Sequence, residues 1–151
     1  LPDALHARLL FVKGRAMDGH APAQEIVQVM EEALAAATRA TDGDLLLDVM
    51  CMLGAAMSYT GRHDRGAEVS ARAVELAGPE TDPARRSRAL GVHAQSLYNM
   101  GRHEEAFEIG RRALEVARAA GATAEAGQNA MNQSPSRSIT AVNSFVTWTS
   151  S

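Results

Sequence analysis

The chain has 151 residues, a formal net charge of −3 and a hydrophobic fraction of 46%. This length favours a single domain, with enough apolar material for one hydrophobic core but too little for two. Alanine is by far the most frequent residue type, whereas aromatic residues make up only 4% of the chain. Residues that favour helices therefore abound and residues that favour strands are scarce, which predicts an all-α protein.

The sequence shows no membrane or secretion signal. It has no run of about 18 apolar residues, and no basic segment precedes an apolar stretch as in a secretory signal. Cys51 is the only cysteine, which excludes an internal disulfide framework and a zinc site built from cysteines. We therefore expect a protein of the reducing cytoplasm that does not bind membranes.

Apolar residues recur at three- and four-residue steps from residue 3 to about residue 120, which predicts a series of helices. Asp82-Pro83 is the clearest helix start, because an aspartate cap precedes a proline at the first helical position. Thr41 with Asp44 is typical of a capping box. The predicted helices cover residues 3–18, 22–40, 42–60, 63–77, 83–100 and 103–120, with a short seventh helix at 124–131.

Two segments follow one pattern at a fixed offset along the chain, residues 53–77 and residues 93–117. Each contains glycine, arginine and histidine followed by an acidic residue, and an alanine lies twelve residues beyond the glycine. A fainter copy begins at Gly19, which lies two residues further from the next turn glycine, Gly61, than this offset predicts, as if two residues were inserted around Pro22. A repeat of this period, with short loops that produce antiparallel helix pairs, predicts a helical solenoid.

Small residues occupy facing positions in the two clear repeats, so we expect the helix backbones of each pair to approach closely. These residues are Gly54, Gly66 and Ala73 in one repeat and Ala94, Ala106 and Ala113 in the other. Each pair leaves one apolar side uncovered until the next pair buries it. About three repeats are needed for a stable stack, and the chain has about three.

At these residues the sequence resembles the tetratricopeptide repeat (TPR) family, whose signature includes a Leu-Gly pair such as Leu53-Gly54, a turn glycine such as Gly61, and small residues in the second helix. The resemblance implies a right-handed superhelix of antiparallel helix pairs with six to seven helices. The implied repeat domain spans residues 3–131. Its repeats lie at about 3–40, 42–78 and 82–120, followed by a partial helix at 123–131.

The first helix of each repeat in this family lines a concave groove that holds a peptide or a helix, so the resemblance also implies a groove in this chain. Carried across position by position, the groove residues are Lys13, Met17, Asp48, Met52, Tyr59, Arg88, Gln95, Tyr98 and Asn99. Met52 and Tyr98 fit equally well as core residues between repeats. Only Arg88 matches the clamp with which chaperone-binding members hold a carboxylate terminus, so that ligand is not expected.

No catalytic motif is present, and we expect neither an enzyme nor a cofactor. The only lysine, Lys13, is followed by glycine and belongs to no phosphate-binding loop. The pairs His63-Asp64 and His103-Glu104 recur at equivalent turns, which favours a capping role over a metal site.

Two further groups favour structural roles, and nucleic acid is not an expected partner. Cys51 is typical of a small buried hydrophobic residue, and His93 of a buried group with a hydrogen-bond partner. Arginines cluster around Arg85 and Arg111, but acidic residues balance them, so the positive surface that nucleic-acid binding needs is missing.

The composition changes at Asn132. Residues 132–151 contain six serines, three threonines and one charged residue, and they include Trp148. One interpretation is an irregular end of the chain. The other is that the apolar residues of this segment cover the open face of the last repeat, or a groove in this molecule or a neighbour.

The sequence therefore predicts a non-catalytic module that binds a protein or peptide in its groove. The repeat period, which is longer than the basic TPR unit, and the alanine- and arginine-rich repeats resemble the sensor arms of bacterial regulators, including LuxR-type activators and multidomain signal-transduction ATPases. Two alternatives stay open. One is a structural segment that self-associates through its tail or the open end of the stack, and the other is a sensor arm for a small molecule.

Overall fold

A computed structural model describes residues 1–121, and this part of the chain contains helices and no strands. The helices are α1 (Asp3–Met17), α2 (Ala23–Ala40), α3 (Gly43–Ser58), α4 (His63–Leu76), α5 (Pro83–Asn99) and α6 (His103–Ala119). The predicted all-α class and the six main helices are confirmed. The seventh helix predicted at 124–131 and the segment 132–151 lie outside the described residues.

The helix starts recur at a constant interval along the chain. The first helices of the three pairs begin at Asp3, Gly43 and Pro83, and the second helices begin at positions 23, 63 and 103. The insertion of two residues expected around Pro22 is therefore wrong, because the two helices of each pair start the same number of residues apart in all three pairs. The turn glycine comes early in the first pair because α1 already ends at Met17, and Gly19 has a φ of 75°. The first repeat keeps the register of the other two.

Each helix packs against the next along the chain, and α3 also contacts both α1 and α5. With short turns between them, neighbouring helices form antiparallel pairs. Each pair packs on the next mainly through its second helix, α2 on α3 and α4 on α5, with further contacts between the first helices. One hydrophobic cluster runs through the stack from Ala7 in α1 to Leu114 in α6, and Met30 and Met57 are fully buried within it. The right-handed superhelical course remains a prediction.

The capping box predicted from Thr41 and Asp44 at the start of α3 is wrong. Asp42 is the cap, and its carboxylate accepts a hydrogen bond from the backbone N–H of Leu45 at 3.1 Å. Thr41 has a left-handed φ of 56° and ends α2 instead. The left-handed conformation belongs to the end of a helix, so the end of α2 and the cap of α3 are adjacent in the chain.

The capping role expected for the two turn histidines is also wrong. His63 and His103 are the first residues of α4 and α6, and the cap positions belong to Arg62 and Arg102, whose side chains make no capping hydrogen bond. The acidic residues after each histidine lie in the first turn, where a negative charge favours the positive end of the helix dipole.

The backbones of α3 and α4 approach closely at two glycines. A Cβ atom at Gly54 would lie 3.1 Å from Cγ1 of Val92 and 3.6 Å from the carbonyl oxygen of Gly66. A Cβ atom at Gly66 would lie 3.4 Å from the carbonyl oxygen of Gly54. The predicted close approach is therefore confirmed for this pair, and α5 packs into the same place. In the third pair, the equivalent Ala94 and Ala106 are fully buried.

Gly54→Ala is expected to lower the free energy of unfolding by about 1–3 kcal/mol, because the added methyl group overpacks against the stiff side chain of Val92. Gly43→Ala is the matched control, since nothing lies within 4 Å of a Cβ atom there. Alanine at that position restricts the unfolded chain and is expected to raise stability by less than about 1 kcal/mol. Urea denaturation followed by circular dichroism measures both variants, and equal effects would contradict the close approach.

Candidate functional site

The first helices of all three pairs line a cavity of about 260 Å³. We call it the arginine cavity. Its lining residues are Phe11, Arg15, Asp48, Met52, Asp82, Arg85 and Arg88. Because α1, α3 and α5 each contribute side chains, this cavity exists only when the three pairs are stacked.

The start of α5 places two arginines at this cavity. Asp82 caps the helix, accepting a hydrogen bond from the backbone N–H of Arg85 at 3.3 Å, and Pro83 occupies the first helical position. This predicted helix start is confirmed. Arg85 and Arg88 lie one turn apart, so their side chains share one side of α5.

Asp48 of α3 holds both arginines. The Nε and Nη2 atoms of Arg85 donate to its two carboxylate oxygens at 2.9 Å and 3.1 Å, and Nη1 of Arg88 lies 3.4 Å from Oδ1. The hydrogen bonds to Asp48 raise the pKa of Arg85. The Asp48 side chain is only 14% exposed, so its loss would leave two guanidinium groups side by side without their shared counter-charge.

Arg15 of α1 supplies a third positive charge, and its guanidinium carbon lies 6.0 Å from the centre of the Phe11 ring. The lining of the arginine cavity thus carries three arginines against the carboxylates of Asp48 and Asp82. Asp44, outside the lining, lies 3.8 Å from Arg85 but is largely exposed to solvent, which weakens its effect. The lining has a net positive charge.

A second cavity of about 250 Å³ lies further along α3 and α5. We call it the amide cavity. It is lined by Ala55, Ser58, Tyr59, Val92, Gln95 and Asn99. The two cavities use successive turns of the same helices, because Ala55 follows Met52 by three residues on α3 and Val92 follows Arg88 by four on α5.

The amide cavity combines an aromatic ring, an apolar surface and two amides. Tyr59 is 71% exposed, whereas Val92 is buried. The Nε2 atom of Gln95 donates to Oδ1 of Asn99 at 3.0 Å. Among the described residues this pair leaves the Gln95 carbonyl oxygen and the Asn99 NH₂ group for an external partner, one acceptor and one donor as in a peptide backbone.

The structure brings most of the sequence-predicted groove residues to these cavities. Asp48, Met52 and Arg88 line the arginine cavity, and Tyr59, Gln95 and Asn99 line the amide cavity.

Three predicted groove residues line neither of these cavities. Lys13 is exposed on α1, and Met17 packs against the hydrophobic core. Tyr98 contacts His103 edge-on, with 4.7 Å between ring centres, within the α5–α6 pair.

The sequence prediction missed four residues of the arginine cavity. They are Phe11 and Arg15 of α1, together with Asp82 and Arg85. Asp82 was recognised as a helix cap but not as part of a site. Arg85 belongs to the cavity through its contact with Asp48, and no local sequence pattern indicates that contact.

Arg15 could have been found from the spacing of the helices. Alignment on the turn glycines Gly19 and Gly61 makes Lys13 the equivalent of Ala55. Alignment on the helix starts, which recur at a shorter interval, makes Arg15 the equivalent of Ala55 instead. The helix starts give the correct register, because packed helices fix it and turns do not.

Two reactive side chains are withdrawn from both cavities. Cys51 is buried, and burial raises the pKa of its thiol to about 12, so the thiolate that a nucleophile needs does not form at neutral pH. His93 is half-buried, and its Nδ1 atom lies 3.0 Å from the hydroxyl oxygen of Ser70. Burial and the nearby Arg102 lower the pKa of His93.

Within residues 1–121, no three His, Cys, Asp or Glu side chains converge to hold a metal ion. No helix in the same part of the chain has the length and apolarity needed to cross a membrane. In comparisons with known proteins, no family model, curated protein or solved structure matches the sequence. The function is therefore inferred from the arrangement of the two cavities.

His93→Gln is expected to flatten the pH dependence of stability below about pH 6.5. The folded pKa lies below the ordinary value of 6.5, so the unfolded chain binds a proton before the folded chain does. The stability that neutral His93 contributes is therefore fully present above about pH 6.5, and the protein loses it as the pH falls toward the pKa of the folded state. Urea denaturation of both proteins from about pH 7.5 to 5 measures the difference, and parallel pH profiles would contradict the buried state of His93.

Proposed function

We propose that this chain is a non-catalytic interaction module that binds a peptide, or an extended segment of a partner protein, along α3 and α5. The observation that carries the proposal is the alignment of two chemically different cavities along the same two helices. A ligand that spans both must be extended and must present more than one kind of group. A peptide meets both requirements.

The size of the cavities supports a peptide over a small molecule. Each holds about 250–260 Å³, whereas pockets for drug-sized ligands range from about 300 to 1,000 Å³. A space of this size accepts a single side chain. Two such spaces in line favour successive side chains of one peptide over one compact metabolite.

The lining also suits peptide recognition. Met52 is an adaptable side chain that accommodates apolar groups of different shapes, and Tyr59 presents a rigid ring with a polar end at low entropic cost. Gln95 and Asn99 offer the acceptor and donor that a peptide backbone uses. Polar groups that fix orientation beside apolar surfaces that add affinity are typical of binding grooves.

The proposal includes membership of the TPR family and a place in a larger cytoplasmic regulator of bacterial type. It is supported by the constant interval between helix starts, the small residues at Gly54 and Gly66, and the groove position of α1, α3 and α5. A single buried thiol at Cys51 fits a reducing compartment. The balanced surface charge argues against nucleic acid as the partner.

A double variant, Tyr59→Ala with Asn99→Ala, tests the proposal. Peptides selected on the chain from a random phage-displayed library are expected to bind this variant at least about tenfold more weakly, because an aromatic anchor and an amide contact are lost. Leu76→Ala, which removes an exposed side chain of α4 outside the groove, is the control and is expected to bind as the original does. Fluorescence anisotropy gives the affinities. Failure to enrich any peptide, or equal binding by the double variant, would refute the proposal.

A second candidate function, self-association through the open end of the stack, is favoured by the surface of α1. Leu5, Leu9 and Val12 recur at three- and four-residue steps and are each about half exposed, so they form an apolar stripe along the helix. Contiguous apolar surface of this kind is often an interaction site.

Self-association predicts that the mass measured by static light scattering rises with protein concentration. Leu5→Gln combined with Leu9→Gln is expected to remove this rise, while Leu76→Gln, at a similarly exposed leucine of α4, keeps it. A monomer mass at every concentration would exclude this candidate. The outcome bears on the α1 surface alone, since neither leucine lines either cavity.

A further inference from the structure

We infer that the ligand is an acidic peptide that places a side-chain carboxylate in the arginine cavity and an apolar side chain, three residues away, in the amide cavity. This inference rests on the proposed function, since it names the chemistry of the peptide bound there. Charge, lining and spacing each define one part of the ligand.

The charge of the arginine cavity selects a single negative charge. Three guanidinium groups face two carboxylates in its lining. Asp48 is engaged by the fork of Arg85, and Asp82 is engaged by the start of α5. Among the described residues no carboxylate pairs with Arg15, whose guanidinium carbon lies 6.0 Å from the centre of the Phe11 ring. A carboxylate of the ligand balances its single charge, whereas a phosphoryl group carries about −1.5 to −2 at neutral pH and exceeds it.

Arg15 is the group that receives this carboxylate at the lowest cost. It lies over Phe11 at the exposed edge of the cavity, so little hydration is lost when an anion arrives. A guanidinium group that rests on an aromatic ring keeps its N–H donors at its edge, and these donors match the two oxygens of a carboxylate. Arg85 and Arg88, held by Asp48, add to the positive potential.

The amide cavity selects an apolar side chain. Ala55 and Val92 form its apolar surface, and the exposed ring of Tyr59 stands beside them. The lining carries no charged residue, so an acidic or basic side chain gains no partner there. Gln95 and Asn99 are placed to bind the peptide backbone next to the apolar side chain.

The distance between the cavities sets the spacing of the two ligand groups. The step from Met52 on α3 to Tyr59, the residue that follows the helix, is seven residues, and on α5 the step from Arg88 to Gln95 is also seven. At 1.5 Å per residue each step is about 10 Å long. An extended peptide advances about 3.3 Å per residue, so about three residues cover this distance.

A series of fluorescein-labelled nine-residue peptides of serine and glycine tests the inference. Each carries one glutamate and one leucine, separated by one, three or six positions and placed in either order. We expect the three-residue separation in one of the two orders to bind at least about fivefold more tightly than the others. Replacing its glutamate by glutamine is expected to weaken binding about fivefold, the effect of losing one partly exposed charge pair.

Two variants of α1 locate the carboxylate. Arg15→Gln is expected to weaken binding of the glutamate peptide about fivefold and to leave the glutamine peptide unchanged. Lys13→Gln removes the same charge from the same helix outside both cavities and is expected to change neither affinity. Circular dichroism verifies that both variants keep the helical content of the original chain.

The outcomes separate this inference from the proposed function. Equal binding of the glutamate and glutamine peptides, or no preference for the three-residue separation, would overturn the inference. A phosphoserine peptide that binds more than tenfold more tightly than the glutamate peptide would overturn the choice of a carboxylate. If none of the designed peptides binds, the inference fails, while library-selected peptides that depend on Tyr59 and Asn99 would still support the proposed function.

Discussion

The close approach of helix backbones at small residues is the constraint on which the rest of the structure depends. Gly54 and Gly66 let α3 and α4 approach to backbone contact, and Val92 of α5 packs over the same point. Val92 also lines the amide cavity. The packing distance between the helices in the core therefore also determines the shape of the groove, because the position of α5 relative to α3 determines the width of both cavities.

Charged side chains add a second link between the same two helices. Asp48 joins Arg85 and Arg88 across the α3–α5 boundary where little solvent reaches. Such a pair contributes less to stability than to geometry, because the cost of desolvating the charges offsets much of their attraction. Its main effect is to hold two guanidinium groups in one orientation, where flexible arginine side chains would otherwise sample many.

The fold was largely predictable from the sequence, because helix periodicity and stop glycines such as Gly61 and Gly101, both with positive φ, are local signals. The site was only partly predictable. Counting from turn glycines shifts the first repeat by two residues and indicates Lys13 in place of Arg15, since α1 ends early and its turn glycine is displaced while the packed helices keep their register. The contact between Asp48 and Arg85 joins residues 37 positions apart, and no local pattern encodes it.

The register of the helix starts bears on how such a chain can lengthen. One helix pair with its connections extends from Gly43 to the cap at Asp82. An in-frame duplication of that segment would leave every following helix with the same residues facing its neighbours. One extra residue inside a helix would instead rotate the later side chains of that helix by about 100° relative to the core. Duplication of whole pairs is therefore the route by which the recognition surface can grow without rebuilding the interior.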